Sequence, residues 1–176
     1  GYVTDYLWES VLQKDSFLDI LQKFISYQKE VKKTILPDGK VRTDTTEKII
    51  FPRYHQLDVV RKLVHHTKEH GCGHNYLIQH SAGSGKSNSI AWTAYRLASL
   101  HNDENRAIYN SVIIVTDRKV LDSQLQDTID SFDHTLGSVV LIDEKKSAKD
   151  LLKAVSDGKR IIVTTLQKFP VIYDLV

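Results

Sequence analysis

The segment from His80 to Ser87 constrains the fold of this chain more than any other part of the sequence. It reads His-Ser-Ala-Gly-Ser-Gly-Lys-Ser, between a short apolar run at residues 76–78 and an amphipathic stretch of helical length. An apolar strand, a glycine-rich loop, Lys-Ser and a helix, in this order, are typical of a phosphate-binding P-loop. The segment therefore predicts a nucleotide-binding α/β domain. The alternative is a Gly-Ser-Gly turn that happens to precede a helix with a surface lysine.

Each polar group of the loop has a predicted role. Gly83, Ser84 and Gly85 allow a close backbone approach, so that successive N–H groups point at the phosphates of ATP. Lys86 places a positive charge on the outer phosphates and is the predicted catalytic residue. Ser87 places a hydroxyl where it can bind the Mg²⁺ that bridges the last two phosphates. ATP and Mg²⁺ are therefore the predicted cofactors.

Apolar runs and helix-length segments alternate from residue 75 to the end of the sequence. This alternation is typical of βαβ units around a parallel sheet. The predicted strands are 76–78, 112–115, 139–142 and 161–163, and the predicted helices are 56–70, 87–100, 120–132 and 149–155.

The first fifty residues have a different character. Residues 6–27 predict an amphipathic helix, with Ser16 and Asp19 placed as a capping box. Residues 31–51 are rich in β-branched side chains around Pro37-Asp38-Gly39, which suits a hairpin or an irregular connection. We predict a helical and hairpin linker at 1–50, followed by a P-loop lobe at 51–176.

Composition excludes several classes of protein. No run of 18 apolar residues could span a bilayer, and the N-terminus lacks the pattern of a signal peptide, so a cytoplasmic location is the default expectation. Cys72 is the only cysteine, which excludes an intrachain disulfide. The formal net charge is +2, so any binding to nucleic acid depends on local groups.

Two segments around the loop resemble the motor subunit of type I restriction enzymes, a branch of the superfamily 2 helicase-like translocases. They are Phe51-Pro52-Arg53-Tyr54-His55-Gln56 and the run from Asn75 to Ser87, including His80 where most P-loops have glycine. The resemblance implies a RecA-like lobe in which Gln56 reads adenine through its amide. An amide both donates and accepts, which matches the adenine edge and favours ATP over GTP.

Two later segments extend the resemblance towards DNA. Val112–Arg118, continued by Leu121–Leu125, is similar to motif Ia, and Ile161–Phe169 is similar to motif Ib. The resemblance implies that Thr116, Arg118, Thr164 and Thr165 contact the DNA backbone, where hydroxyls grip phosphates without reading bases. The alternatives are an ordinary strand-to-helix turn for the first segment and simple strand propensity for the threonine pair.

The resemblance also implies the rest of a motor. It implies an upstream nuclease domain, a Walker B segment after Thr165, and a second lobe with an arginine that completes the ATP site. The fragment is then expected to bind nucleotide and to hydrolyse it poorly. The implied partners are double-stranded DNA and the methyltransferase and specificity subunits of a restriction-modification complex.

Three other functions stay open. The chain could belong to another superfamily 2 helicase or translocase. It could also be a small-molecule kinase or a transporter ATPase, although neither a Leu-Ser-Gly-Gly-Gln signature nor an Asn-Lys-x-Asp guanine motif occurs. A third reading is a nucleotide-binding module that only holds partner subunits together.

Three signals are set aside. Asp143-Glu144 follows an apolar run as a Walker B pair would, but it precedes the motif Ib segment and reads as a solvated turn, and a nuclease pattern in Glu144-Lys145-Lys146 is equally unsupported. His66 and His70 lie one helical turn apart near Cys72, but a helix C-terminus that ends at Gly71 explains them better than structural zinc does.

Overall fold

The chain forms two compact units, Gly1–Pro52 and Arg53–Val176. The structure is a computed structural model that describes residues 2–35, 39–117, 125, 128–129, 131–132, 138–142 and 146–173. Among these residues, no helix has the length and the apolar content needed to cross a bilayer.

The first unit contains a short helix and a long hairpin, as the sequence predicts. A π-helical turn at Leu7–Val11 precedes helix α1 (Lys14–Lys23) and the antiparallel strands β1 (Ser26–Ile35) and β2 (Val41–Ile50). The buried side chains Val11, Ile20 and Phe24 form its small core.

The predicted capping box in this unit is wrong. Helix α1 begins at Lys14, and Gln13 is its N-cap, with an extended backbone at φ −60° and ψ 143°. Ser16 therefore lies inside the helix, where it cannot cap the first turn. Asp19 instead forms an ion pair with Lys23, at 3.0 Å, one helical turn further on.

Two helices of the second unit pack against each other. Helix α2 spans Tyr54–His70 and helix α3 spans Lys86–Ala98. Small residues on α3 let the helices approach, and Trp92 on α3 is the largest fully buried side chain of the described residues. The buried apolar side chains are Leu57, Val60, Leu63 and Val64 on α2, and Ala91, Trp92, Ala94 and Ala98 on α3.

The sheet of the second unit is parallel, which confirms an α/β lobe of RecA-like type. Its strands are β3 (Val112–Thr116), β4 (Val139–Ile142) and β5 (Ile161–Thr165), in the spatial order β3-β5-β4. All five residues of β5 are buried, because this strand lies between the other two. The register places Thr116 beside Thr165 and Ile142 beside Thr164.

Helix α4 (Ala148–Ser156) covers one part of this sheet. Leu151 and Ala154 pack with Ile142 and Ile162 in a buried cluster. A 3₁₀ turn at Leu166–Lys168 and the short helix α5 (Phe169–Tyr173) follow β5. The predicted helix at 120–132 falls largely outside the described residues, but Phe132 is buried, with its ring centroid 5.6 Å from that of Trp92.

The strand predicted at residues 76–78 is not present. These residues have no regular structure, and the side chain of Leu77 is 96% exposed. A strand persists only where a neighbour shares its backbone hydrogen bonds. The described sheet ends at β3 on one side, and β3 is not paired with this segment.

Candidate nucleotide-binding site

The backbone of the predicted P-loop turns sharply at its two glycines. Gly83 has φ +72° and Gly85 has φ +81°, a left-handed conformation that L side chains rarely adopt. Helix α3 then begins at Lys86, with Gly85 as its N-cap. The first amides of a helix have no carbonyl partner within the helix, so they are free to meet an anion.

The ammonium group of Lys86 lies back over the loop. Its Nζ donates to the carbonyl oxygens of His80, at 3.2 Å, and Ser81, at 3.1 Å. The side chain is exposed, so these bonds can be exchanged for bonds to phosphate oxygens. The loop thus places an exposed positive charge beside the backbone turn at the start of α3, and this arrangement suits a triphosphate.

Gln56, on α2, forms hydrogen bonds to the backbone of the loop. Its side chain is only 2% exposed, and its Nε2 donates to the carbonyl oxygens of Ser84, at 3.2 Å, and Gly85, at 2.9 Å. Its Oε1 accepts from the backbone N–H of Arg53 at 2.8 Å. Both ends of the amide are therefore engaged within the protein.

Gly85 also fits closely against Gln56. A Cβ atom at position 85 would lie 2.5 Å from Gln56 Nε2, which is closer than real Cβ contacts come. The absence of a side chain at Gly85 therefore permits two things. The backbone can adopt a positive φ, and the side-chain amide of Gln56 can approach the loop.

Sequence reasoning did not identify His55 as part of the site. Its Nε2 lies 3.1 Å from the carbonyl oxygen of Ser84, and its ring meets that of His80 edge to face at 5.0 Å. The only available signal was its position, one residue before Gln56. The side chain adds a second contact between α2 and the loop.

The two serines of the loop differ in their surroundings. Ser84 is 8% exposed, and its Oγ is a buried oxygen without a hydrogen-bond partner in the described residues. Such a group costs free energy unless a ligand or water satisfies it. Ser87 is half-buried in the first turn of α3, where a bound phosphate would also lie.

The predicted DNA contacts lie at the carboxyl ends of two adjacent strands. Thr116 ends β3 and is half-buried, and its register partner Thr165 ends β5 and is 8% exposed. Thr164 is fully buried, and its Oγ1 has no partner in the described residues. Arg118 lies outside the described residues.

The loops that follow β3 and β4 are both linked by hydrogen bonds to the segment that follows β5. Gln167 Nε2 donates to the carbonyl oxygen of Asp117 at 3.5 Å, and Lys168 Nζ donates to that of Lys146 at 2.6 Å. Two lysines therefore lie near the strand ends, and sequence reasoning did not single them out. Phosphate binding at this edge would gain from their charge.

The histidines at the end of α2 form a stacked cluster. The ring centroids of His66 and His70 are 4.1 Å apart, and that of His74 lies 5.1 Å from His66. The pKa of His66 lies below its usual value, mainly because partial burial disfavours the charged ring. The nearby charges of His70 and His74 lower this pKa further. In the part of the chain that the structure describes, no group of three or more ligand side chains could hold a metal ion.

The segment that resembles a Walker B pair cannot be placed. Residues 143–145 lie outside the described residues, and so do both acidic side chains. The reading of this segment as a solvated turn stays a prediction.

Comparison with known proteins adds a family match over the second unit. Residues 55–174 match the SWI2/SNF2 ATPase family, and this region contains the loop, Gln56 and the described strands of the sheet. The chain is 30% identical, over 129 residues, to a type I restriction enzyme endonuclease subunit from Staphylococcus saprophyticus. The alignment covers 73% of this chain, which spans 12% of the length of that relative. No solved structure matches the chain.

Proposed function

This chain belongs to the SWI2/SNF2 ATPase family, and from that premise we propose that it is the ATP-binding lobe of the DNA-translocating subunit of a type I restriction enzyme. The observation that carries the proposal is the P-loop, which Gln56 contacts by hydrogen bonds and which lies within the residues that match the family. The likeness to a restriction endonuclease subunit supports the choice of system.

Four groups of the chain hold the nucleotide in this proposal. The amides of Gly83 to Gly85 and the first turn of α3 bind phosphate oxygens, and Lys86 moves from the carbonyls of His80 and Ser81 to the outer phosphates. Ser87 offers its hydroxyl to Mg²⁺. When bound, ATP would supply the phosphoanhydride bond that is hydrolysed, and Mg²⁺ would neutralise charge on its outer phosphates.

Gln56 gives the site its proposed preference for ATP. Reading adenine requires its amide to exchange at least one present bond, to Arg53 or to the loop, for a bond to the base. One side chain, that of Gln56, would then contact both the adenine base and the phosphate-binding loop. We propose that this exchange couples nucleotide identity to the shape of the loop.

DNA binding is assigned to the strand ends. Thr116, Arg118, Thr164 and Thr165 are the proposed contacts to backbone phosphates, with Thr116 and Thr165 adjacent in the sheet. The side chain of Thr164 is fully buried, so its hydroxyl can meet a phosphate only after a local rearrangement. Contacts to phosphates tolerate any base sequence, as translocation requires.

The remaining parts of the motor are proposed to come from a longer polypeptide. They are the nuclease domain, the Walker B carboxylates and the second lobe with its arginine. Methyltransferase and specificity subunits are the proposed partners on double-stranded DNA, in the cytoplasm. Nucleotide hydrolysis is then a property of the longer polypeptide and not of this lobe alone.

DNA-stimulated ATP hydrolysis by the longer polypeptide tests the proposal. We expect Thr116→Val and Thr165→Val to reduce the stimulation by about tenfold, because each removes a hydrogen bond to a charged phosphate. ATP binding should stay unchanged, and Thr43→Val, on the exposed strand β2, is the matched control.

Two results would redirect the assignment. ATP hydrolysis that DNA does not stimulate would favour a P-loop ATPase that does not act on DNA. Stimulation without translocation-dependent cleavage would favour another superfamily 2 helicase or translocase.

A further inference from the structure

The amide of Gln56 shares one of its two loop carbonyls with the backbone of α3. Its Nε2 donates to the carbonyl oxygens of Ser84 and Gly85. The carbonyl oxygen of Gly85 also accepts the backbone N–H groups of Asn88, at 3.1 Å, and Ser89, at 3.4 Å, in the first turn of the helix. The carbonyl of Gly85 therefore stays paired when the amide of Gln56 turns away.

The carbonyl of Ser84 has a side chain as its second donor. The described residues give it no backbone donor, and Nε2 of His55 lies 3.1 Å from its oxygen. A carbonyl oxygen can only accept, so Nε2 of His55 carries the proton in this hydrogen bond. The bond from Gln56 to Ser84 is buried, and a buried carbonyl that loses every donor costs free energy. His55 is therefore the donor that remains at Ser84 if Gln56 leaves.

The ring of His80 packs against that of His55. The two ring centroids are 5.0 Å apart and the ring planes meet at 86°, an edge-to-face geometry that aromatic rings favour. His80 is half-buried and occupies the loop position at which most P-loops have glycine. A glycine there would offer no ring to His55. The departure of this loop from the usual pattern thus provides a side chain that orients His55.

The opposite end of the Gln56 amide is anchored to α2. Its Oε1 accepts from the backbone N–H of Arg53 at 2.8 Å, as part of the capping box at the start of the helix. Release of this bond would leave a helix N-terminus without its cap. The amide nitrogen contacts only carbonyls that have other donors. The nitrogen is therefore the end of the amide that can turn to an acceptor atom of a base.

We propose that His55 is a positioning residue for adenine recognition, and that the ring of His80 holds it in place. When Gln56 Nε2 turns to the base, His55 keeps the carbonyl of Ser84 paired and the loop in its phosphate-binding shape. This inference rests on the proposed function, in which Gln56 reads adenine. A base that does not engage Gln56 leaves both donors on Ser84. His55 therefore contributes to the preference for ATP over GTP.

Titrations of the full-length polypeptide with ATP and with GTP, in the presence of Mg²⁺, test the role of His55. We expect His55→Ala to weaken ATP binding by about tenfold and GTP binding by less than about twofold, because only adenine draws Gln56 away from Ser84. His101→Ala is the matched control, since Nδ1 of His101 also lies 2.9 Å from a serine carbonyl, that of Ser99, but outside the loop. It should leave both affinities unchanged.

Three further variants separate positioning from simple support of the fold. His55→Gln keeps an N–H donor at the end of a side chain of similar reach, so it should restore most of the preference for ATP. His80→Gly removes the ring contact and should lower the preference by about threefold. In a Gln56→Ala background, His55→Ala should no longer change the ratio of the two affinities, because no amide has to be released.

The same titrations distinguish failure of this inference from failure of the proposed function. An unchanged preference for ATP in His55→Ala, or equal weakening of ATP and GTP binding, would overturn the inference and leave the proposed function intact. Equal binding of ATP and GTP by the unsubstituted polypeptide would overturn the adenine-reading role of Gln56, and the inference with it. An unchanged preference in His80→Gly would overturn the part assigned to His80.

Discussion

Gln56 and Gly85 are fitted to each other at the scale of single atoms. The amide of Gln56 reaches two carbonyl oxygens of the loop only because position 85 carries no side chain. The sequence alone predicts Gln56 as a base-reading residue and Gly85 as a phosphate-loop glycine. Their contact could not be predicted, because it depends on how α2 and the loop approach each other in space.

Substitution of Gly85 tests this fit. Gly85→Ala places a methyl group at φ +81° and against Gln56 Nε2, so we expect a loss of about 2–4 kcal/mol in the free energy of unfolding. Urea denaturation measures it. Gly158→Ala is the matched control, since Gly158 has φ +66° but nothing within 4 Å, and it should cost only about 1–2 kcal/mol.

The double variant Gly85→Ala/Gln56→Ala separates the two causes. Removal of the amide should relieve the clash, so the cost of Gly85→Ala should fall to that of the control in the Gln56→Ala background. An equal cost of Gly85→Ala in both backgrounds would show that Gln56 does not approach the loop.

Among the elements, helix α4 shows how a local sequence signal sets a boundary. Ser147 and Asp150 form a capping box, in which the Asp150 carboxylate accepts from the Ser147 N–H at 2.7 Å and from its hydroxyl at 2.9 Å. The hydrogen bond from the Ser147 backbone N–H is the main reason why the pKa of the Asp150 carboxyl group lies below its usual 3.8. The hydrogen bond from the Ser147 hydroxyl lowers the pKa further. The charged form of this side chain is therefore favoured in the folded state.

This cap predicts a dependence of stability on pH. Because the folded pKa of Asp150 is depressed, its contribution is present above the unfolded value of 3.8 and is lost as the pH falls through the folded value. Asp150→Asn should lower the unfolding temperature near neutral pH and have little effect at about pH 2. Asp103→Asn, at a side chain that is 95% exposed, is the control. The same deficit at both values of pH would mean that the charge of Asp150 plays no part.

Strands differ from helices in how much of them the sequence reveals. Helices α2 and α3 follow from local periodicity, and β3, β4 and β5 from apolar runs, because each signal lies within its own segment. The segment 76–78 carries the same signal as β3 but is not a strand. A strand requires a partner from elsewhere in the chain, and local sequence does not supply that information.

For the whole molecule, the P-loop is the feature that ties sequence, fold and function together. The order of apolar run, loop and helix predicts an α/β lobe, and the parallel sheet and the family match confirm it. The candidate residues of the site are predicted from their positions along the chain. Their hydrogen-bond partners, such as the carbonyl contacts of Lys86, emerge only when α2, the loop and α3 are assembled.

Calorimetric titration of this chain with ATP and Mg²⁺ tests the central claim most directly. We expect ATP to bind and Lys86→Ala to weaken binding by about a hundredfold or more, because it removes a charge-assisted contact to the phosphates. Lys62→Ala is the matched control, since Lys62 is exposed and pairs with Asp58 at 2.8 Å on α2. ATP binding that survives Lys86→Ala unchanged, or equal weakening by both substitutions, would contradict the assignment of this loop as the nucleotide site.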